Sequence, residues 1–177
     1  MELTPAELTV LGLVVEQPQH GYDLERAIEQ RGIRQWTDIG FSSIYYLLTK
    51  LEQRGLVVVG EAPPAAKSRR VFHATAEGRR VAARNALAFI AEARPTPLPV
   101  LVGVANLSLL TAQQYEQALR TRLVQLETRI AAVQAAQQAR TSAPLAAREV
   151  FSYSLNQMEA ERQWLTTRVQ VPRDQES

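Results

Sequence analysis

The side chains with chemistry to offer gather in the stretch Ser42–Gly60, SSIYYLLTKLEQRGLVVVG. Ile44, Leu47, Leu48 and Leu51 recur at helical spacing and make one apolar stripe. At about 100° per residue, Ser42, Tyr46, Thr49 and Gln53 fall on the opposite side, flanked by Ser43, Tyr45 and Lys50. Glu52 lies toward the apolar side. The outer face is therefore small, hydroxyl-bearing and aromatic, with one positive charge. A face that had only to stay in water would more often mix Glu with Lys; this one suits close approach to a phosphate-lined groove. Catalytic chemistry finds no matching pattern. There are no paired carboxylates, no Ser-His-Asp set, no metal-ligand cluster and no Gly-rich phosphate loop. The chain has no cysteine, which removes disulfides, thiolate metal sites and thiol catalysis, and its two histidines, His20 and His73, argue against a His-based metal centre. The expectation is a protein that is not an enzyme and needs no cofactor.

Length and charge bound the elements that must position this face. At 177 residues with 46% apolar and 21% charged residues, the chain can bury one large core or two small ones. Its net charge is only +2, but the distribution is uneven. Residues 1–39 hold three Arg against seven Asp or Glu, and residues 40–84 hold two Lys and six Arg against three Glu. Positive charge thus concentrates around the candidate helix, the footprint expected for a phosphate-backbone partner, although a solvated charged surface gives the same count. The first residues, MELTPAELTVLGLVVEQ, lack a basic leader, and the longest apolar run is too short to cross a bilayer, so a cytoplasmic protein is expected.

From the N-terminus, Thr4-Pro5-Ala6-Glu7 is a helix start, with Thr4 capping, Pro5 at the first helical position and Glu7 completing a capping box. Leu8, Leu11, Val14 and Val15 follow at helical spacing until Pro18. Gly21-Tyr22-Asp23 opens a second helix with Leu24, Ala27 and Ile28 inward, closed by Gly32. Ile33–Phe41, with Trp36, Ile39 and Phe41, is too apolar for a free loop and is expected to pack back on the core, Trp36 included. His20 is read as a capping or packing residue. Gly55 stops the third helix, Ser42–Arg54, and Leu56–Val59 is a β-branched run suited to a strand. Residues 60–68 are turn chemistry, and Arg69–Ala74 returns as a second strand. The two strands form a wing that places Lys67, Arg69 and Arg70 beside the third helix. Thr75 then caps a fourth helix over 75–93, with Val81, Ala82, Leu87, Ala88 and Phe89 on its inner side. Helix, helix, helix, strand, strand, helix is the order of a winged helix-turn-helix, with Ser42–Arg54 as recognition helix.

Several of these residues carry a family resemblance. His20-Gly21-Tyr22-Asp23-Leu24, Trp36, Ser42-Ser43-Ile44-Tyr45, Leu48-Thr49-Lys50-Leu51-Glu52 and Gly55-Leu56-Val57 resemble the PadR family of bacterial transcriptional regulators. So does Arg70-Val71-Phe72-His73-Ala74-Thr75-Ala76-Glu77-Gly78, at the end of the wing. The matches cover roughly the first half of the chain, and a second half of this length resembles the longer PadR subgroup, whose extra helices make the dimer. The resemblance implies a homodimeric DNA-binding repressor released from its operator by a small molecule. It also implies that Tyr22, Ser42, Ser43, Tyr45 and Lys50 face DNA while the wing lies along the backbone or minor groove. With Tyr46 and Thr49 from the outer helix face, these make the expected DNA-binding set. Dimer symmetry would require double-stranded DNA bearing a pseudo-palindromic operator. The alternative from another class is a winged-helix module that docks a protein and has no specific DNA target.

The second half begins at Arg94-Pro95-Thr96-Pro97-Leu98-Pro99, which cannot continue a helix. The expected organisation is a winged domain over 1–93, a Pro-rich linker over 94–99 and a helical dimerisation domain over 100–177. Val100–Leu110 is read as a buried helix. Thr111–Gln114 is a capping box opening a long helix to about Thr141, with Leu119, Leu123, Leu126, Ile130, Val133 and Gln137 on a heptad seam. After Ser142-Ala143-Pro144, the seam recurs at Phe151, Leu155, Met158, Arg162, Leu165 and Val169. Two seamed helices predict an antiparallel hairpin, and the apolar segment before it calls for a second protomer. The expected dimerisation residues are Leu119, Leu123, Leu126, Ile130, Phe151, Leu155, Met158 and Leu165. A buried Arg162 would need a carboxylate, for which Glu127 is the candidate by position. Trp164 and Tyr153 are read as helix–helix packing residues rather than pocket walls. The tail Pro172–Ser177 is expected to fray.

Overall fold

A computed structural model describes residues 1–40, 43–60, 70–93, 95–139 and 143–170. It divides into two compact units, Met1–Pro95 and Thr96–Ser177. The first contains α1 (Pro5–Glu16), β1 (Gln19–His20), α2 (Gly21–Gln30), a 3-10 turn (Ile33–Gln35), α3 (Ser43–Gln53), β2 (Val57–Val59), β3 (Val71–Ala74) and α4 (Ala76–Ala91). This is a winged helix-turn-helix. The capping box of α1 forms: Thr4 Oγ1 accepts from the Glu7 amide and Glu7 accepts from the Thr4 amide at 2.8 Å. Val10, Leu11 and Val14 of α1, Leu24 and Ile28 of α2, and Ile44, Leu48 and Leu51 of α3 close one core with Leu56, Phe72 and Val81. Each stripe repeats at three- and four-residue spacing, so each helix spends one face on this core.

The sheet is antiparallel in the order β1-β3-β2, with Gln19 opposite Phe72 and Val58 opposite His73. Sequence patterning missed β1, because two residues carry no alternation. What fixes β1 is Gln19, whose buried amide donates to the Leu13 carbonyl at 2.8 Å. Gly55, at φ 68°, ends α3 in the left-handed region that glycine alone occupies without cost. Past β3, Thr75 caps α4, and its hydroxyl also donates to the Gly55 carbonyl at 2.8 Å. One turn on, α4 lies directly on the chain entering β2: a Cβ on Gly78 would stand 2.0 Å from the Leu56 carbonyl oxygen. The buried Asn85 accepts from the Leu3 amide at 2.9 Å and donates to the Met1 and Val81 carbonyls, pinning the N-terminal residues to α4.

Two packing expectations fail here. Trp36 is 51% exposed. Ile33 and Ile39 take the inward positions of that segment, and Arg34 anchors it by donating to the Ile39 carbonyl at 3.0 Å and to Glu25 and Glu29. The indole is left outside. Leu87 is 67% exposed, because the inward face of α4 is Gly78, Val81, Ala82 and Asn85 and position 87 falls about 120° from Val81. Ala88 and Phe89 are half-buried. Phe41 lies outside the described residues.

The second unit holds α5 (Pro99–Ala105), a 3-10 turn (Leu107–Leu109), α6 (Ala112–Gln138) and α7 (Leu145–Gln170). The expected buried helix over Val100–Leu110 is shorter and is not buried. It breaks at Asn106, no residue of α5 is buried, and Leu101, Val102, Leu109 and Leu110 are exposed. Only Leu107 of this segment reaches the hairpin core. The seam of α6 and α7 closes as an antiparallel hairpin on Leu119, Leu126, Ile130 and Val133 against Met158 and Leu165, with Leu123, Phe151, Leu155, Trp164 and Val169 half-buried beside them. Arg162 is not buried and does not reach Glu127. It pairs one turn back along its own helix with Glu159 at 2.7 Å, where both groups keep their water. Tyr153 is exposed rather than packed, its hydroxyl accepting from Gln157 at 2.8 Å. The residues of the expected frayed tail lie outside the described residues.

Candidate nucleic-acid interface

Helix α3 turns Ile44, Leu47, Leu48 and Leu51 inward. That orientation fixes the outer face: Tyr45 is 60% exposed, Tyr46 67%, and Thr49 is exposed one turn on. The Thr49 hydroxyl donates to the Tyr45 carbonyl at 2.9 Å, which leaves its lone pairs facing out. Ser43, half-buried at the head of the helix, donates its amide to the Gly40 carbonyl at 3.1 Å.

The start of α2 lies beside this face. Gly21 is buried under the Tyr45 ring, and a Cβ there would come 2.5 Å from a ring carbon. A glycine at the first helical position is what lets the phenol lie across the helix start. His20 occupies the cap position but makes no side-chain cap; its Nδ1 lies 3.3 Å from the Arg70 carbonyl oxygen, across the β1–β3 pairing. Tyr22 projects 66% exposed. Between α2, α3 and β3 is an open cavity of about 380 Å³, with Tyr22, Tyr45, Thr49, Arg70 and Phe72 in its walls. Phenols and a guanidinium around a shallow cavity can donate several hydrogen bonds to one phosphodiester or base edge, and the Thr49 oxygen can accept one from a base.

The two described cations of the set are engaged. The Lys50 ammonium is 2.7 Å from Glu7 Oε1, and Arg54 Nη1 is 3.1 Å from the same oxygen. Arg54 Nη2 also donates to the Glu2 carbonyl at 2.8 Å. Glu7 is only 2% exposed. Burial pushes its carboxyl up, but hydrogen bonds from Lys50 and the Thr4 amide, with the charges of Lys50 and Arg54, outweigh burial and hold it below the usual carboxylate range. Lys50 is thus tied to α1 rather than standing free on the outer face. Arg70 Nη2 donates to both Glu52 oxygens at 2.8 Å, and its guanidinium carbon lies 5.3 Å over the Phe72 ring.

Of the sequence-derived set, Tyr22, Tyr45, Thr49 and Arg70 come together around the cavity, and Tyr46 stands on the same exposed helix face. Ser42, Lys67 and Arg69 lie outside the described residues. Sequence reasoning missed Gly21 and Phe72 as walls and the pairing partners Glu7 and Glu52. Glu7 was visible as a capping residue, but nothing in the sequence announces an ion pair to a residue 43 positions on. Of the eight residues expected at a dimer interface, Leu119, Leu126, Ile130, Met158 and Leu165 are buried in the α6–α7 core of a single chain, and Leu123, Phe151 and Leu155 are half-buried against it. The exposed apolar side chains of the second unit are others, among them Leu101, Val102 and Leu109. Among the described residues, no group of three or more His, Asp or Glu could hold a metal ion, and no helix is long and apolar enough to cross a membrane.

Residues 10–84 match the model of the transcriptional regulator PadR-like family. No curated protein sequence matches the chain significantly. Among solved structures, the chain is similar to Bacillus subtilis PadR in complex with operator DNA, with 17% identity over 94% of this chain and 98% of that one and a TM-score of 0.76. It is also similar to the same Bacillus protein in complex with p-coumaric acid, with 16% identity, coverages of 92% and 95%, and a TM-score of 0.74. A third likeness is to the Vibrio cholerae virulence activator AphA, with 17% identity, coverages of 92% and 95%, and a TM-score of 0.70. At these identities the likeness shows a shared fold across both units.

Proposed function

We propose, from the premise that this chain carries a PadR-like transcriptional regulator domain, that it is a cytoplasmic homodimer that binds double-stranded DNA and is released by a small molecule. The observation that carries the reading is the outer face of α3. Tyr45 and Tyr46 are more than half exposed there, beside Tyr22 and the cavity that Arg70 borders. Three exposed phenols gathered beside a guanidinium offer ring faces and hydroxyl donors to one partner, which a single exposed phenol does not. In this reading α3 enters the major groove, where Tyr45, Tyr46, Thr49 and Ser43 meet base edges and phosphates. Tyr22 and Arg70 hold the adjacent backbone, with Ser42, Lys67 and Arg69 extending the contact. The winged domain, 1–93, reads DNA; residues 94–99 link it to a helical domain, 100–177, that pairs two protomers. Two α3 helices related by a twofold axis select a pseudo-palindrome.

The dimer surface in this reading joins the exposed apolar α5 segment to the seam residues that the hairpin leaves half-exposed, Leu123, Phe151 and Leu155. Support for an effector comes from the Bacillus protein of this fold that holds p-coumaric acid. An effector works by favouring an arrangement in which the two recognition helices no longer match the operator spacing. The Bacillus structure with operator DNA and the name of the family support a DNA-binding regulator over an enzyme.

The test is a titration of fluorescent duplex taken from just upstream of the gene for this protein, at several salt concentrations, against random duplex. Salt-steep binding that outcompetes random DNA supports the reading. Binding to neither duplex, together with salt-insensitive capture of a partner protein, overturns it.

A further inference from the structure

We infer that Glu52 is an internal phosphate surrogate: it occupies the Arg70 guanidinium in the DNA-free protein, and Arg70 exchanges it for a backbone phosphate when duplex binds. The inference rests on the DNA-binding reading above and deepens it. Its basis is the position of the pair. Glu52 projects from the recognition helix itself, and Arg70 stands at the root of the wing, in the wall of the cavity beside α3. Nη2 of Arg70 lies 2.8 Å from each Glu52 oxygen, so one N–H edge is shared by two anionic oxygens. A phosphodiester presents the same motif, two equivalent anionic oxygens about a central atom.

Both halves of the pair keep solvent, Arg70 at 59% exposure and Glu52 at 32%. An exposed pair of this kind holds weakly and opens easily. The guanidinium is nevertheless kept near its site when the pair opens, because its carbon lies 5.3 Å over the Phe72 ring and its carbonyl oxygen lies 3.3 Å from His20 Nδ1, next to the β3 strand it precedes. A phosphate can therefore take the place of Glu52 on the guanidinium, the same fork geometry serving either anion. Released Glu52 is then an unpaired negative charge in the last turn of a helix that carries no other acid, at the edge where Arg70 would hold a phosphate. It therefore opposes every phosphate brought to this edge, whatever the base sequence.

The competing account makes the pair a strut that fixes the wing against α3 and remains closed on DNA. The two differ in sign. Glu52→Gln removes the surrogate charge while keeping the side-chain shape and one acceptor oxygen for Arg70. If Arg70 changes partner, E52Q binds duplex roughly two- to fivefold more tightly, the range an exposed charge pair supports. The slope of log affinity against log salt also steepens, by up to about 0.9 for the one phosphate no longer offset. If the pair is a strut, E52Q binds more weakly or equally, with an unchanged slope.

The experiment titrates full-length wild type, E52Q and R70Q with random-sequence duplex and with the fragment upstream of the gene, across a salt series. Tighter, steeper binding by E52Q to both duplexes, with weaker binding by R70Q, supports the exchange. Equal or weaker binding by E52Q overturns it while leaving the DNA-binding reading standing, since wild type still binds. Absence of binding by wild type overturns both.

Discussion

Replacing Glu7 with Gln tests how the recognition helix is held. Glu7 is buried in α1, and one of its oxygens takes both the Lys50 ammonium and the Arg54 guanidinium, residues one turn apart on α3 and just past its end. Glutamine keeps the shape and can still accept from the Thr4 amide, so the capping box is largely retained. What is lost is the charge that compensates two cations. Breaking a fully buried pair costs about 3–5 kcal/mol. Here Lys50 is 42% exposed and Arg54 22%, so both cations regain water and the neutral amide still accepts one bond. The expected loss is therefore about 2 kcal/mol. The assay is urea unfolding of wild type and E7Q at a series of pH values.

Acid supplies the sign. The carboxyl of Glu7 is held below the usual range in the folded protein, so its contribution is complete above the unfolded value of about 4.3 and is lost as pH falls through the lower folded value. The gap between wild type and E7Q should be full at neutral pH and should close in acid. A Lys50→Met partner substitution should show coupling of about 1 kcal/mol with E7Q. A neutral-pH gap below about 0.5 kcal/mol, or one that does not shrink in acid, would refute the buried clamp.

Three further outcomes follow from single contacts. Gly21→Ala meets the movable Tyr45 ring, so we expect little loss of thermal stability but weaker duplex binding as the phenol is displaced; unchanged affinity in a titration would count against Tyr45 at the interface. Gly78→Ala meets the Leu56 backbone oxygen at 2.0 Å, which cannot move aside, and should cost about 3 kcal/mol or more in denaturant unfolding. Leu101→Asp should shift sedimentation toward monomer while leaving helicity intact, whereas Leu165→Ala, in the sealed hairpin core, should cost about 2–5 kcal/mol of stability.

The parts of the fold that patterning finds are those where one residue type does one job. Thr4, Thr75 and Thr111 cap helices where hydroxyl followed by helix start implies it, and Gly55 stops α3 where a left-handed residue is needed. The apolar stripe of α3 fixes its outer face without any tertiary knowledge. Legibility fails where two candidates compete for one inward position, as Trp36 does with Ile33 and Ile39, or where a stripe is assigned one residue too broadly, as at Leu87. It fails again for long-range charge pairing. Lys50 reads as a free cation on a helical wheel, yet Glu7 lies beneath it, and Arg70 reads as a wing contact, yet Glu52 holds it. In the second unit the heptads predict the hairpin that forms, but the same apolar period serves a partner helix in the same chain or in another, so spacing alone does not separate buried Leu126 from half-buried Leu123.

The central claim, that the outer face of α3 meets DNA, is tested most directly by photocrosslinking. A photoreactive phenylalanine analogue placed at Tyr45 is compared with the same group at Tyr153, an exposed phenol of the second unit. The account predicts crosslinks to duplex from position 45, lost on adding unlabelled upstream fragment, and none from position 153. Crosslinking from position 153 without crosslinking from position 45 would contradict it.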